Sequence, residues 1–592
     1  MEKMQQVKKF IALFLIAAMT VSAALGAVGC GKSDEDDKGA TLLMYLAGDP
    51  SNLNLDPGKL IYSAEAIKFM GLLFEGLTVM DENGKLKGGM AESWKITDDA
   101  ENGIYRITFT IKDTRWSDGK PVTADDIVFA WKRILEPEFS SPAAALLYSI
   151  KNARAVKEGD MTVDDLGVYA DDITELRIEF EQSINYEKFL ENLTSPYLVP
   201  LRSDTVDYQP DDWAKLPRTM LTNGPFSLKQ IEYNKVASFD RSTYYLLEQG
   251  KRKTNIFKHV TPYRIILDYS RNLSAITEAY KKNDYIFFLG DVPPSEFSAF
   301  ENEAVIKDML SSYDYYFNVD VKPFGDANVR KALSIALDRN EIAKIAGLGV
   351  KPATGIVPHG IVDVKSTEEY REVRGNAINP SGNLDEAKKL LSAAGVSGGS
   401  FTLKIRSSEV EKAVADYAAG VWGSLGFNVT VSELKGIAVQ ETILSRDYDV
   451  MGFDLQAPGV DAFSVLAPFA NQMSGGVVKF VDEGQSIAEP FMTGFHNDAY
   501  DAVMEEILSL ANDYETRTAK LFEAEKMLVD LSPVAPLFFN VSINITDKIS
   551  GLEYSKFGNT KFNKANLKNY QQYTTGGEED AAAVPEETAA AE

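Results

Sequence analysis

The sequence is poor in the residues from which many functional sites are built. It contains one cysteine, Cys30, in 592 residues, which excludes a disulfide framework and a thiolate metal cluster. Its three histidines, His259, His359 and His496, lie far apart and leave little material for a metal site. The net charge of −26 argues against a nucleic-acid partner, because phosphate contacts need a basic face.

The common enzyme motifs are also missing. The chain has no P-loop, dinucleotide glycine fingerprint or H-E-x-x-H motif. Neighbouring acids such as Asp125 and Asp126 diverge on a helix or strand, so they do not make an acid–base pair by spacing. We therefore expect no enzyme activity, with no catalytic residues, metal or cofactor.

The composition that remains is that of an ordinary globular protein. Hydrophobic residues make up 45% and charged residues 25% of the chain. The length predicts several domain-sized units. Disorder and a polytopic membrane protein are excluded as the main architecture.

The first forty residues predict a lipoprotein. Three lysines precede an apolar run over residues 10–28, and small residues lead to Cys30. This end resembles a bacterial lipobox, although Ala27 replaces the more usual leucine. We expect a signal peptide over 1–29 and lipidation of Cys30. An uncleaved signal anchor is the alternative, since the run nearly spans a bilayer.

Charged segments flank the globular part of the sequence. Residues 30–40 predict a polar tether, and residues 574–592 predict a disordered acidic tail without aromatic residues. No second apolar run reaches transmembrane length. We therefore expect the bulk of the protein in water outside the cytoplasm, held at the outer face of the cytoplasmic membrane by its lipid anchor.

The first half shows a strand, a turn and a capped helix. Apolar and polar residues alternate over 105–111, which predicts a half-buried strand. After the turn at 116–121, Thr123 and Asp126 predict a capping box. The apolar spacing that follows predicts a helix ended by Pro137.

The second half reads as α/β. Strands are predicted at Phe401–Ile405, Phe427–Val431 and Tyr448–Phe453, with helices at 409–425 and 437–446 between them. This alternation indicates parallel pairing, and such sheets bind ligands beyond the carboxyl ends of their strands. Those ends lie near Ser407, Glu433 and Asp454.

An aromatic strand is predicted at 313–319. One face carries Tyr313, Tyr315, Phe317 and Val319, which favours a core position. The other face carries Asp314, Tyr316 and Asn318. We expect that second face to line a wet cleft.

A long series of motifs resembles the extracytoplasmic solute-binding proteins of family 5, the oligopeptide-, dipeptide- and nickel-binding receptors of ATP-driven importers. The resemblance covers about residues 41–573. Its motifs are Gly48–Pro57, Leu73-Phe-Glu-Gly-Leu77, Ala91–Asp99, Trp116-Ser-Asp-Gly-Lys-Pro121, Phe129–Arg133, Asn223-Gly-Pro-Phe226, Tyr316-Phe-Asn318, Val329–Leu333, Ala336–Arg339, Ala387–Gly395 and Ala524–Leu528.

The resemblance implies an α/β, two-lobed type II periplasmic-binding-protein fold (cluster C) with the ligand cleft between the lobes. Lobe 1 would comprise 41–82, 222–315 and 535–573. An accessory domain would span 83–221. Lobe 2 would span 316–534. The fold implies ligand capture by lobe closure, without covalent chemistry.

One segment departs from the family pattern. Peptide-binding members carry W-x-x-D-x-x-D-P, whose first aspartate pairs with the peptide ammonium. If Asp461 matches the second aspartate, Pro458 stands at the amine position and Leu455 replaces the tryptophan. Either Asp454 or Asp461 then binds the amine, or the ligand lacks a free N-terminus, because a buried ammonium needs a counter-ion.

We interpret the chain as a monomeric receptor that passes an oligopeptide to the permease subunits of an ABC importer. The alternatives are a receptor for a non-peptide solute such as an oligosaccharide, and a surface sensing or adhesion lipoprotein. The nickel-type function lacks a histidine cluster. The candidate ligand-binding residues are Asp49, Asn52, Asn223, Tyr316, Asn318, Phe453, Asp454, Gln456 and Asp461.

The lipidation site gives a first testable prediction. Replacing Cys30→Ala removes the only thiol in the chain, so incorporation of labelled fatty acid in a bacterial host should be lost. A Ser33→Ala variant in the neighbouring tether should label normally. Equal labelling of both variants would contradict the assignment.

Overall fold

The computed structural model describes residues 39–570, except for 63, 82–83, 247–258, 283–284, 291–298, 301, 348, 363–367, 483–484 and 511–512. The predicted signal peptide, Cys30, most of the tether and the acidic tail lie outside the described residues. Within that part of the chain, no helix combines the length and the apolar character that a membrane crossing requires.

Strands and helices are distributed along the whole described chain. The strands are β1 Thr41–Leu46, β2 Thr78–Met80, β3 Leu86–Gly88, β4 Ala91–Asp99, β5 Ile104–Ile111, β6 Val168–Asp172, β7 Glu175–Glu179, β8 Phe226–Glu232, β9 Val236–Arg241, β10 Arg264–Asp268, β11 Leu289–Gly290, β12 Ala304–Phe317, β13 Lys351–Pro352, β14 Gly399–Arg406, β15 Phe427–Leu434, β16 Val450–Gln456, β17 Val478–Asp482, β18 Gln485–Ala488, β19 Val534–Ile545, β20 Ile549–Ser550, β21 Glu553–Tyr554, β22 Thr560–Lys561 and β23 Asn566–Leu567.

The α-helices are α1 Ile67–Leu73, α2 Ala124–Leu135, α3 Ala153–Glu158, α4 Tyr186–Asn192, α5 Ser203–Val206, α6 Leu273–Lys281, α7 Ala327–Ala336, α8 Arg339–Ala346, α9 Tyr370–Arg374, α10 Leu384–Ala393, α11 Glu409–Gly423, α12 Ile437–Ser445, α13 Ala462–Leu466, α14 Asp498–Ser509 and α15 Tyr514–Leu531. Short 3-10 turns add local structure, among them Pro50–Asn52, Ala64–Ala66 and Pro142–Leu147.

An eleven-stranded mixed sheet runs through the molecule in the order β15-β14-β16-β12-β19-β11-β1-β10-β9-β8, with β13 paired to β19. The long strands β12 and β19 pair antiparallel near its centre. Their register shifts between Asp308 and Ser312, so the pair is interrupted along its length. These two strands join the two halves of the sheet.

The predicted α/β segment is confirmed. Strands β15 and β16 both pair parallel with β14, and α11 and α12 provide the connections. The parallel order follows from the crossover that a helix makes between successive strands. The carboxyl ends of these three strands therefore share one edge of the sheet.

A separate antiparallel sheet, β4-β5-β7-β6, lies in the first half of the chain. The predicted strand is β5, and its residues Ile107, Phe109 and Ile111 are buried. The predicted capping box of α2 is confirmed, because the Thr123 N–H donates to Asp126 Oδ2 at 2.8 Å. Local capping and one apolar face thus set this helix.

The aromatic strand corresponds to the second half of β12. Tyr313, Tyr315 and Phe317 are buried, as predicted for the core face. The expectation of a wet second face is wrong for this structure, because Asp314 and Tyr316 are fully buried as well. Tyr313, Tyr315 and Phe317 belong to one hydrophobic cluster and Tyr316 belongs to another, so packed side chains cover both faces of the strand.

A buried ion pair connects α15 with a loop and α9. Glu525 is completely buried, and its Oε1 accepts from the Ile356 N–H at 2.8 Å and the Val357 N–H at 3.0 Å. The guanidinium of buried Arg371 donates to the same oxygen. One carboxylate oxygen therefore collects three donors in a water-excluded position.

Replacing Glu525→Ala should lower the midpoint of urea unfolding strongly, because Arg371 would remain buried without its counter-charge. We expect a loss of about 3–5 kcal/mol. The control is Glu386→Ala in the exposed Glu386–Lys389 pair, with a loss below about 1 kcal/mol. Similar midpoints for both variants would show that the buried pair is not a stability determinant.

Candidate ligand-binding cavity

A cavity of about 430 Å³ lies where three distant parts of the chain meet. Its walls come from residues between 70 and 84, residues between 191 and 199, and residues between 553 and 564, and Val362 and Val460 also line it. The volume is in the range of enclosed ligand pockets, about 300–1,000 Å³. The cavity is therefore the best-formed candidate for a ligand site among the described residues.

Glu75 is a partly buried acid on the cavity wall, just after α1. Its Oε2 accepts from the hydroxyl of Tyr245 at 2.6 Å. Burial raises the pKa of Glu75, against the hydrogen bond from Tyr245 and the charges of Lys112 and Lys561, which lower it. Neutral or charged, the carboxyl group is held in one orientation by the tyrosine.

Asn223 fixes the backbone of Glu75. Its Oδ1 accepts from the Glu75 N–H at 3.1 Å, and its amide nitrogen donates to the Glu75 carbonyl at 2.8 Å. Asn223 is almost completely buried. This candidate residue therefore positions the cavity wall without lining the cavity.

Two asparagines contribute unsatisfied acceptors on the wall. The Oδ1 atoms of Asn559 and Asn563 are buried and have no hydrogen-bond partner among the described residues. Asn559 is 8% exposed. It can approach α1 because that helix carries Gly71, where a Cβ would lie 2.9 Å from the Asn559 amide. Unpaired buried acceptors are costly unless a donor reaches them.

The loop after β16 closes one side of the cavity. The Ser195 hydroxyl donates to the Pro458 carbonyl, and the Val460 N–H donates to Asn192 Oδ1 at 3.1 Å. Between them, Gly459 leaves no room for a side chain, since a Cβ would lie 2.7 Å from Asn192 Oδ1. The last residue of α4 and Ser195 just after the helix thus hold the 458–460 loop in place.

A charged cluster occupies the edge where the parallel strands end. Arg406, the last residue of β14, contacts Asp454 at 2.7 Å and Glu411 at 2.6 Å. Asn540 donates to the second Asp454 oxygen at 2.7 Å. Burial opposes the charge of Arg406, but Asp454, Glu411 and Glu65 outweigh it and raise the pKa of the guanidinium. Arg406 therefore pairs with both Asp454 and Glu411 at this edge of the sheet.

The same edge brings together other predicted residues. Ser407 donates to Glu433 at 2.9 Å, beside the Arg406–Asp454 pair. The predicted convergence at the carboxyl ends of the strands is therefore confirmed. None of these side chains lines the cavity.

Three candidates lie near chain turns, and hydrogen-bond partners within the protein are described for two of them. Asp49 accepts from the N–H groups of Ser51 and Asn234 at 2.9 and 2.8 Å. Asn318 donates to the carbonyls of Arg446 and Tyr448. Asn52 ends the turn at Pro50–Asn52, and its side chain lies outside the described part.

The remaining candidates are buried side chains near the central strands. Tyr316 packs edge-on against Phe491, and its hydroxyl has no partner in the described part of the chain. Phe453 lies under the Arg406 guanidinium at 5.3 Å. Gln456 donates to the Leu310 carbonyl at 3.0 Å. Ligand contact by any of these residues stays a prediction.

Asp461 begins α13 and is paired. It accepts from the Phe463 N–H at 3.2 Å and contacts Arg517 at 2.7 Å. Burial alone would raise the pKa of Asp461, but the charge and hydrogen bond of Arg517 more than offset this, and the pKa lies below its ordinary value. The aspartate is thus a charged cap held by a cation.

His496, Asp498 and Asp501 form the described grouping that could hold a metal, with ligand atoms within 4.8 Å of one another. The His496 imidazole lies 2.9 Å from Asp498 through Nε2 and 3.4 Å from Asp501 through Nδ1. Two of the three residues are exposed. This is the arrangement of a hydrogen-bonded surface histidine.

The nine candidate ligand-binding residues predicted from the sequence are not among those that line the cavity. Glu75 stands in the Leu73-Phe-Glu-Gly-Leu77 motif and Tyr245 in a tyrosine pair, which were the available signals. Asn559 and Asn563 follow β21 without any distinctive pattern.

Comparison with known proteins identifies the class and the family. The solved structure of the oligopeptide ABC transporter substrate-binding domain of Bacillus anthracis matches with a TM-score of 0.75 at 21% identity, covering 89% of this chain and 98% of that chain. The fold is accordingly the type II periplasmic-binding-protein fold.

The model of the bacterial extracellular solute-binding proteins, family 5 Middle, matches residues 85–476. The chain belongs to this family. The periplasmic murein peptide-binding protein MppA of Escherichia coli is 30% identical over 515 residues, covering 84% of this chain and 87% of MppA. The dipeptide-binding protein DppE of Bacillus subtilis is 26% identical over 571 residues, covering 93% and 97%.

The Asp461–Arg517 pair predicts a pH effect. Because the pKa of Asp461 is lowered in the fold, its stabilisation is present above the ordinary aspartate pKa and is lost as the pH falls through the folded value. Asp461→Asn should therefore lower the thermal midpoint at pH 7, because the fold loses about 1–3 kcal/mol of unfolding free energy. The loss should be smaller towards pH 3.

The matched control is Asp326→Asn, which changes the cap of α7 without a comparable buried arginine pair. Its thermal midpoint should lie slightly below that of wild type, by nearly the same amount at pH 7 and at pH 3. If the thermal midpoints of wild type and Asp461→Asn differ by the same amount at pH 7 and at pH 3, the assignment is contradicted.

Proposed function

We propose that the protein is a receptor that captures a peptide in the 430 Å³ cavity and delivers it to an ABC importer. The observation that carries this proposal is a cavity lined by acids and by lysines, Glu75 and Glu553 with Lys556 and Lys561, in a family 5 chain. A peptide offers both charges and main-chain donors and acceptors to such walls.

The names of the relatives support a peptide as the ligand. MppA is described as a murein peptide-binding protein and DppE as a dipeptide-binding protein. Both align over most of this chain. Receptors of this kind bind and release their ligand without changing it, and we assign no catalytic step to the chain.

Capture would occur by movement of two lobes. Lobe 1 would comprise 41–82, 222–315 and 535–573, and lobe 2 would comprise 316–534, with 83–221 as the accessory domain. The crossing pair β12 and β19 supports this division, since its register breaks between Asp308 and Ser312. Hinge motions are absorbed at a few such positions.

The protein would work at the outer face of the cytoplasmic membrane, anchored by lipid on Cys30. The basic start, the apolar run and the single cysteine support this placement. Permease subunits and the membrane are then its partners, and a monomer is sufficient to enclose the ligand.

The proposal is tested by native mass spectrometry of the full chain, purified in mild detergent without denaturation. A receptor for peptides should carry or take up masses that fragment as peptides. A single mass that fragments as a sugar or another non-peptide solute would replace the peptide by that solute.

A substitution that fills the cavity should remove binding. Val79→Trp places an indole in the cavity, and we expect peptide affinity to fall about tenfold or more, because the ligand loses its volume. Val373→Trp, at a valine that is 45% exposed on α9, is the control. Unchanged affinity in Val79→Trp, measured by calorimetry, would place the ligand elsewhere.

A further inference from the structure

A buried ion pair fastens residues 83–221 to the first part of the chain. Arg133, near the end of α2, donates to the two carboxylate oxygens of Asp56 at 2.9 and 2.6 Å. The two residues are 8% and 2% exposed, and the guanidinium carbon lies 4.4 Å from the ring centre of Phe139. Separating this bidentate pair would leave two buried charges without partners, so we expect the contact to persist when the molecule changes shape.

The same part of the chain meets a later part through main-chain hydrogen bonds. The Ser141 N–H donates to the Gly475 carbonyl at 2.8 Å. The Val478 N–H donates to the Pro137 carbonyl, also at 2.8 Å. Neutral hydrogen bonds of this kind can be exchanged for bonds to water. This contact is therefore able to open and close, unlike the buried pair.

Gly475 makes the close approach possible. Its φ of +66° is left-handed, and a Cβ added there would lie 1.9 Å from the Ser141 carbonyl oxygen. A side chain at this position would push the two segments apart. The glycine thus serves the contact itself as well as the local turn.

Side chains extend the contact on either side of the main-chain bonds. The Tyr148 hydroxyl donates to the Gln472 carbonyl at 3.2 Å. Arg154 of α3 pairs with Glu505 of α14, and its Nε also donates to Glu158 of its own helix at 2.9 Å. The paired side chains are 31% and 33% exposed. Water can reach both groups, and Arg154 keeps Glu158 as a partner if the pair with Glu505 opens.

An apolar turn lies within the same contact. The 3-10 turn Pro142–Leu147 packs against α13, and Ala143, Ala144 and Leu147 are completely buried. Apolar burial is favourable whatever the cavity contains. The contact therefore stabilises the joined form by an amount that does not depend on a ligand.

The contact is also separate from the cavity. None of the residues that form its hydrogen bonds or its ion pair lines the 430 Å³ cavity. In the proposed division of the chain, residues 83–221 stay with lobe 1 through the Arg133–Asp56 pair, whereas Gly475 and Glu505 belong to lobe 2. The contact then spans the two lobes.

We propose that residues 137–154 and 472–505 form a latch between the lobes, in which Gly475, Arg154 and Glu505 are positioning residues that hold the receptor closed without touching its ligand. The inference rests on the proposed function. A latch adds the same stabilisation to the closed form for every ligand, so it changes all affinities by one common factor. The cavity residues alone then choose among ligands.

The test uses the full chain in mild detergent, with a tryptic digest of a soluble protein as the source of peptides. Gly475→Ala should lower the total bound fraction in native mass spectrometry about tenfold, because two hydrogen bonds of the closed form are lost. The relative abundances of the bound peptides should stay as in wild type. Gly395→Ala is the matched control, since Gly395 has a φ of +67° and nothing within 4 Å of an added Cβ.

Hydrogen exchange gives a second measurement on the same samples. Adding the digest to wild type should slow exchange at the Ser141 and Val478 amides, although both lie outside the cavity wall. In Gly475→Ala these amides should exchange faster than in wild type, with or without the digest. Gly395→Ala should exchange as wild type does.

The ion pair provides an independent variant. Glu505→Gln should lower the bound fraction about threefold, again without changing the relative abundances. Glu506→Gln is its control, because Glu506 is the next residue of α14 and pairs with Lys520 inside the same lobe at 3.1 Å. Thermal midpoints show whether each variant is folded, and Glu505→Gln carries the test if Gly475→Ala is not.

The outcomes separate the two proposals. If the folded latch variants bind and exchange as wild type does, the latch is overturned and the receptor function stands. A changed order of preference among the bound peptides also overturns the latch, because the residues would then act on the ligand. If wild type binds no peptide from the digest, the receptor function is overturned and the latch with it.

Discussion

The antiparallel pairing of β12 with β19 is the interaction on which the rest of the structure depends. On one side these strands continue into β16, β14 and β15, and on the other into β11, β1 and the strands beyond. Buried Arg339 reinforces the pair by donating to the Pro536 carbonyl of β19 at 2.7 Å. Burial lowers the pKa of Arg339 to about 10, which leaves it charged at neutral pH. Without this pair, the two halves of the large sheet would not be joined.

Local patterns in the sequence predicted much of the fold. The capping box at Thr123 and the alternation in β5 are short-range signals, and short-range forces decide those elements. The succession of strands and helices after residue 399 predicted parallel pairing, because a helix that connects two strands of one sheet normally returns the chain to the same end of the sheet. The burial of the second face of β12 could not be predicted, since it depends on side chains from distant parts of the chain, such as Phe491 against Tyr316.

The candidate site was less predictable, and the reason is physical. The cavity joins residues near 75, 195 and 559, and nothing in the spacing of such residues encodes their proximity. Asp454 and Asp461 illustrate a second limit. In the sequence they were acids open to a ligand, but Arg406 and Arg517 fold onto them. The sequence shows which residues are charged, but it does not show which residue each of them pairs with in the fold.

The contacts of Ser195 and Asn192 with the 458–460 loop bear on time as well as on affinity. If a ligand leaves the cavity past this loop, both hydrogen bonds must break first, although neither residue needs to touch the ligand. In that case the end of α4 and Ser195 after it contribute to the lifetime of the bound state. Differences in affinity between related complexes lie mostly in the dissociation rate. Variants that differ only at Ser195 and Asn192 would then release the same solute at different rates.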